Sequence, residues 1–478
     1  MRASRPSKSS SACPPRPAIL TRPEAAARPQ GILDKPYRLV SIGACALIVI
    51  AAFEQLAVTT IMPAIARDLD GLALYALAFA GPLASGVIGM VLAGDWSDRR
   101  GPVKALYASV ALFALGLVIA GTAPTMPIFL AGRLVQGLGG GALTVALYVI
   151  VAKIYPPRLQ PKIFGAFAAA WVVPALVGPF IAGVVGQYLG WRWVFLGVVV
   201  LVLPAMAMVL PAMRSMAPHD RLEPDGRSST ARALWAVLLA VAILGLNIAA
   251  DLDGVARWVL ATGGLAVALV ALRPLLPAAS LRLRRGLPSV IAMRGLLAGA
   301  FMSAEVYLPY VLTERFGLTA ALAGLALSFS GVAWGSSSLA QGRLGDRVSH
   351  RTAIRIGILG ATAAIGVVLL VTALELPAWV IIGGWFLGGA GMGFAYPRIT
   401  VLTFDYSTPA EQGFNSSALA IADSGGSAIA LALGAVAFSV AGAPGSQPSF
   451  VATFAFSLVA GILALIVSAR VSQRPRRA

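Results

Sequence analysis

The sequence has little charge. Of its 478 residues, 12% are charged and 58% hydrophobic, whereas a soluble domain carries about 25% charged side chains. So few polar side chains cannot cover the two or three soluble domains that this length would otherwise imply. Cysteine is nearly absent. Cys13 and Cys45 lie in different surroundings, which excludes a disulfide framework. Histidine is equally scarce. His219 and His350 both fall in polar loops, leaving no Cys/His cluster for a metal and little for hydrolytic catalysis. There is no Gly-x-x-x-x-Gly-Lys-Ser/Thr phosphate loop, no Gly-x-Ser-x-Gly elbow and no His-Glu-x-x-His pair. ATP drive and enzymatic activity are therefore not expected, and neither is a cofactor or a metal.

What the chain does have is long apolar runs. A membrane-spanning helix needs about 20 consecutive, mostly apolar residues. Fourteen such runs occur, near 39–65, 74–94, 103–122, 127–152, 162–186, 191–211, 233–250, 256–276, 290–312, 320–341, 353–374, 377–400, 415–440 and 450–470. They are too long for barrel strands and lack alternation. Each is read as a helix, because an isolated strand in lipid would leave its backbone polar groups unsatisfied. Residues 1–37 are rich in Arg, Pro and Ser and lack the apolar stretch of a secretory signal. They are expected to be a disordered cytoplasmic tail, with an organellar transit peptide as the alternative.

The net charge of +18 at first suggests a nucleic-acid partner. Threading fourteen spans from a cytoplasmic N-terminus changes that reading. Of the 37 basic residues, 32 then fall in the tails and loops of one face. The other loops hold Arg67, Arg192, Arg257 and Arg315, and Arg133 lies within a span. This asymmetry is a positive-inside signal, with both termini cytoplasmic. A plasma (inner) membrane location is expected. The basic loops are expected to meet anionic lipid headgroups, and no nucleic acid is expected.

The loop opened by Gly94-Asp95-Trp96-Ser97-Asp98-Arg99-Arg100-Gly101 has a counterpart in Gly342-Arg343-Leu344-Gly345-Asp346-Arg347. Both read Gly-x-x-x-Asp-Arg at the same end of a span. They lie 248 residues apart, which fits a parallel duplication of six-helix halves with two helices added between them. On these residues the chain resembles the major facilitator superfamily in its fourteen-helix, drug:proton antiporter-like form. The first loop is similar to that family's Gly-x-x-x-Asp-Arg-x-Gly-Arg-Lys signature, except that Pro102 and Val103 stand where basic residues are usual. The resemblance implies a gating role for Gly94, Asp98, Arg99, Gly101, Gly342, Asp346 and Arg347. Gly94 would let helices approach closely, and Asp98 would form a charge clamp. The plainer reading is a solvated turn with orienting arginines.

Two further elements extend the resemblance. Arg133-Leu134-Val135-Gln136-Gly137 resembles the family's Arg-x-x-Gln-Gly, whose implied role is to tune proton exchange on a nearby acid. The alternative is an arginine snorkelling to the interface. Gly165, Pro174, Gly178, Pro179 and Gly183 follow the spacing of the helix-5 motif of the family's exporters, with Pro174 and Ala182 in place of glycines. Small residues at this spacing allow close helix packing, and the prolines free carbonyls. The motif favours an antiporter that expels its substrate.

An ionisable residue inside a membrane span is a functional hypothesis by default. Glu54, Glu305 and Asp423 lie within spans. Glu54 stands nine residues before Pro63, where the drug:proton antiporter branch usually has Asp. It is read as a proton or cation site, or as a structural pair with a helix of the other half. Glu305, flanked by Tyr307 and Tyr310, shares a helical face with Met302 and Pro309. It is the preferred coupling residue, exchanging a proton for substrate. Asp423 either lines the cavity or pairs with an arginine near the cytoplasmic end. Trp171, Trp334, Trp385, Tyr148 and Tyr396 are candidates for an apolar cavity wall. The glycine run 388–393 suits a bending or closely packed helix.

The expected architecture is an all-α polytopic membrane protein of the major facilitator fold. Its parts are the tail 1–37, a six-helix bundle at 38–211, a loop with two extra helices at 212–289, a six-helix bundle at 290–470 and a tail at 471–478. The expected function is secondary transport, with proton-coupled export of hydrophobic or amphiphilic small molecules by a monomer. Alternatives are a proton-coupled importer of a metabolite, a lipid exporter, or a non-transporting sensor.

Overall fold

The computed structural model describes residues 31–35, 37–156, 159–214, 229–344, 347–408 and 411–471. Most of the basic N-terminal segment, His219, Asp346 and the last seven residues lie outside them, as does the side chain of Asp98. Among the described residues all regular structure is helical. The helices are α1 (Arg38–Asp68), α2 (Leu77–Arg100), α3 (Pro102–Gly121), α4 (Met126–Ile154), α5 (Gln160–Ala170), α6 (Val172–Tyr188), α7 (Arg192–Arg214), α8 (Ser229–Asp251) and α9 (Gly254–Leu272). They continue with α10 (Leu287–Glu314), α11 (Ala320–Leu344), α12 (His350–Leu374), α13 (Ala378–Asp405), α14 (Gln412–Ala441) and α15 (Gln447–Ser468). A short 3-10 turn, Leu72–Leu74, leads into α2.

These helices make fourteen segments long and apolar enough to cross a membrane, α5 and α6 together forming one of them. An even number of crossings returns the chain to the face where it began, here called the terminal face. The opposite one is the far face. Turn chemistry sets several of the reversals. Gly101 has φ +81° and ψ 155°, a conformation open essentially to glycine, and Pro102 then starts α3 with its φ already fixed. Ser349 caps α12 by accepting the Thr352 amide at 3.1 Å.

The two halves, α1–α7 and α10–α15, meet along two seams. One is α6 against α11, the other α2 against α14. The hairpin α8–α9 does not extend either half. Helix α8 packs on both α2 and α14 and so covers the second seam. Helix five is broken between Ala170 and Val172. Pro174 has no N–H to offer the Ala170 carbonyl, which interrupts the ladder at that point. Above the break α6 packs against α11 and α1; below it the shorter α5 packs on α1 and touches α4.

Candidate functional site

The α6–α11 seam is built from the exporter-type spacing. Pro179 leaves the Ala175 carbonyl without its helical donor, and Gly331 of α11 packs onto that oxygen. A Cβ added at Gly331 would lie 2.0 Å from it. Gly324 sits in the same way on the Pro179 carbonyl, where a Cβ would come within 2.4 Å. Gly183 closes on the backbone of Ala320 and Ala321. Gly178 packs instead beside Phe53 of α1, and Gly165 has no neighbour within 4 Å.

The far face is closed by aromatic rings. Tyr75, between α1 and α2, donates its hydroxyl to the Val306 carbonyl of α10 at 2.9 Å. Its ring stacks on Tyr310 at 5.0 Å and meets Tyr307 at 5.6 Å. Phe438 and Phe450 back this cluster. Arg67 of α1 bridges to Glu314 of α10 at 3.0 Å. All four arginines that the topology assigns to this face are paired. Arg192 meets Asp68 at 3.0 Å, Arg257 meets Asp253 at 3.1 Å, and Arg315 meets Glu375 at 2.6 Å. At the terminal face Arg99 pairs with Asp95 at 2.8 Å and Arg294 with Asp423 at 2.6 Å, each pair within one half.

Midway through α1, Glu54 is 2% exposed. Its carboxylate is paired with Arg133 of α4 and accepts from Gln136 Nε2 at 2.5 Å. Arg133 also donates to Gln136 Oε1 at 2.7 Å and to the Ala78 carbonyl at 3.2 Å. Arg133 and Gln136, three residues apart, share a helix face, so one turn of α4 supplies both partners. Arg133 thus points inward rather than snorkelling, and Glu54 pairs within its own half rather than with the other one.

Glu305 has a different environment. It lies two-thirds of the way along α10, beside the aromatic closure, and is 8% exposed. No hydrogen bond or ion pair engages its carboxylate among the described residues. Toward the terminal face an aromatic wall follows. Phe301 stacks on Trp385 at 4.7 Å, Trp334 stands edge-on to Phe301 at 5.9 Å, and Tyr396 is edge-on to Trp334 at 5.2 Å. The wall ends at Arg294, which is set 3.4 Å over the Tyr396 ring, and Asp423, which accepts from Arg294 Nε and from the Tyr396 hydroxyl at 3.0 Å. Asp423 therefore both pairs with an arginine and remains partly exposed. Trp171 is exposed at the break, and Tyr148 packs on Phe164 and Phe167 in the first half.

A family model described as Major Facilitator Superfamily matches residues 44–430, and again 295–478. The chain belongs to that superfamily. A Mycobacterium tuberculosis protein whose name assigns it to multidrug efflux is 26% identical over 391 residues, covering 77% of this chain and 80% of that one. Multidrug resistance protein 3 of Bacillus subtilis is 23% identical over 397 residues, 80% of this chain and 75% of its own. An M. tuberculosis MFS-type transporter is 30% identical over 198 residues, 40% of this chain, and the match spans only 29% of that longer protein. Among solved structures, a POT family transporter in complex with a thioalcohol-conjugated peptide superposes with a TM-score of 0.68 at 16% identity, over 91% of this chain and 96% of that one. The xylose transporter of E. coli, in a partially occluded inward open conformation, gives 0.61 at 13%, over 91% and 100%. These likenesses are of fold: the major facilitator architecture, a transporter's rather than an enzyme's.

The superfamily's loop signature is only partly visible. Arg99 turns back on Asp95, and Arg347 is exposed. Gly94 stands clear of its neighbours, a Cβ there lying 3.9 Å from Val145, and Gly342 has nothing within 4 Å. The close approach expected at Gly94 is thus absent in this conformation. Sequence reading counted Arg294 and Arg398 as loop charges. Both lie inside helices, Arg398 buried with Nε on Gln341 Oε1 at 2.6 Å and Nη2 on the Gln341 carbonyl at 3.2 Å. The available signal was their distance from the span ends: each sits about two turns inside its helix.

Proposed function

We propose that the chain is a secondary active transporter of the plasma membrane that exports hydrophobic or amphiphilic small molecules in exchange for protons. The terminal face is cytoplasmic in this reading, on the strength of the 30 of 37 basic residues that remain there once Arg294 and Arg398 are set inside their helices. The two halves rock about the α6–α11 and α2–α14 seams to expose the central space to either side.

The observation that carries the reading is Glu305. A buried carboxylate without a partner among the described residues, one turn from the Phe301–Trp385 stack, is relieved either by a proton or by a bound cation. It cannot take both, and that competition is an exchange mechanism. Glu54 already has Arg133 and Gln136, and its role is to hold α1 against α4. The names of the relatives support a drug-like substrate, and the α6 motif supports export. No cofactor takes part; the proton gradient supplies the energy, and the monomer suffices.

The test is transport in proteoliposomes under an imposed pH gradient, with ethidium as probe. Ethidium should move against the proton flow. Glu305→Gln should abolish gradient-driven transport while the protein stays folded, and Glu305→Asp should keep part of it. Proton movement in the same direction as the probe would establish symport instead, and full activity in Glu305→Gln would remove Glu305 from coupling.

A further inference from the structure

We propose that a groove between α1 and α7 binds one acyl chain of an anionic phospholipid, with the headgroup held by Arg38 and Lys35 at the terminal face. The site lies on the outside of the first half and does not depend on the direction of transport.

The groove has a volume of about 620 Å³. It exists because α1 and α7 touch at one level and part beside it. Gly43 makes the touch: a Cβ there would lie 2.9 Å from the Ala205 carbonyl. Next to it the small side chains of Ala46, Ala166 and Ala205 leave the space unfilled. Ile42, Cys45 and Val49 form the α1 wall, and Leu201, Pro204 and Met208 the α7 wall. Ile42 and Leu201 are exposed, so the groove opens on the outer, lipid-facing surface of the bundle. Among the described lining residues only Ser41 carries a side-chain oxygen or nitrogen. Its hydroxyl is already engaged, with the Ile32 carbonyl at 2.5 Å and the Tyr155 hydroxyl at 2.7 Å. The interior therefore offers apolar contact alone, which suits an alkyl chain.

Length and charge name the occupant. Arg38, Ile42, Cys45 and Val49 follow one another at four, three and four residues, and so share one face of α1. From Arg38 to Ile50 the helix rises about 18 Å. One leaflet of the hydrocarbon core is about 15 Å thick, half of about 30 Å. The groove thus runs the depth of one leaflet and has a cation at its mouth. Lys35 stands two residues beyond Leu33, which lines the same end. Arg38 and Lys35 are both exposed, and neither has an ion-pair partner among the described residues. The acid beside them, Asp34, accepts from the Gly31 amide at 2.7 Å. This end is fixed in place: Ser41 holds the Ile32 carbonyl, and Tyr37 stacks on Tyr155 at 4.9 Å. Two cations at headgroup level, over an apolar slot one leaflet deep, match the two ends of an anionic phospholipid. A chain seated there would also fill the space beside Ala166 of α5, the short helix below the break.

The probe is phosphatidylglycerol with a diazirine midway along one acyl chain, in phosphatidylcholine vesicles holding the full chain. A phosphatidylcholine with the same modified chain is the comparison. Photolabelling at residues 42–50 and 201–208 is read by peptide mass spectrometry. It is divided by labelling at Ile356 and Leu359 of α12, which are exposed at a similar distance from the terminal end of their span. This ratio should be about tenfold higher for the anionic probe, the scale of two basic side chains at a lipid surface. Arg38→Gln with Lys35→Gln, both on the surface, should remove the preference. Cys45→Trp should fill the groove and abolish the excess labelling; Leu201→Trp does the same from the opposite wall where Cys45→Trp fails to fold. Equal ratios for the two probes overturn the proposal, as does a preference that survives the loss of both cations or the filling of the groove. Suppression of the labelling by ethidium would assign the groove to transported substrate and overturn the lipid reading.

Discussion

Two buried carboxylates, Glu54 and Glu305, have the same chemistry and opposite settings. Removing one partner from a buried ion pair leaves an uncompensated charge and costs about 3–5 kcal/mol, whereas replacing both by apolar groups is often neutral. Arg133→Leu should therefore lower the thermal unfolding midpoint of the purified protein sharply, and Glu54→Leu added to it should restore most of the loss. A midpoint unmoved by the single change would show that the pair is not structural. The sequence made both acids visible as charges inside apolar runs. It could not show the pairing, because Glu54 and Arg133 lie on different helices and no spacing connects them. Gln136 stands within the Arg-x-x-Gln-Gly motif, yet its contact with Glu54 emerges only when α1 lies against α4. Arg294 was hidden differently: close to a span end, it read as a loop charge.

Among the elements, the α6–α11 seam sets glycines of α11 onto backbone carbonyls of α6, one of which, that of Ala175, Pro179 has released. Gly331→Val would drive a side chain into the Ala175 carbonyl, where even a Cβ would come within 2.0 Å. Insertion should survive, since valine makes the span more apolar, but the helices should part. In a background with Cys13 and Cys45 replaced by serine, a cysteine at Ala321 should then react faster with a membrane-impermeant maleimide added from the far face. Equal reactivity with and without Gly331→Val would show that the seam tolerates the side chain. The helices themselves were legible, because fourteen apolar runs with charges between them leave little freedom of assignment. The break in helix five was not. Pro174 reads as a substituted glycine within a packing motif, while its larger effect is to split the fifth span at Ala170 into α5 and α6.

For the whole molecule, the far face is shut in this conformation, held by the Tyr75–Tyr307–Tyr310 rings and the Arg67–Glu314 bridge. An exposed ion pair contributes at most about 1 kcal/mol, so this bridge does not lock the gate by itself. A short bismaleimide joining Arg67→Cys to Glu314→Cys should stop transport, and the uncrosslinked double variant should remain active. Continued transport after crosslinking would mean that the far ends need not separate. The superfamily architecture and the same-face termini followed from the span count and charge asymmetry. The place of the extra hairpin did not, because α8 rests on α2 and α14 through apolar side chains that carry no motif. The pairing of all four far-face arginines has an electrical consequence. A membrane potential does work only on net charge, at about 2.3 kcal/mol per elementary charge for each 100 mV. Arginine–carboxylate pairs move through that field as dipoles and contribute almost nothing. When the halves rock, these four pairs therefore add little to the voltage sensitivity of the cycle, to which Glu305 contributes with whatever proton or ion it carries at the time.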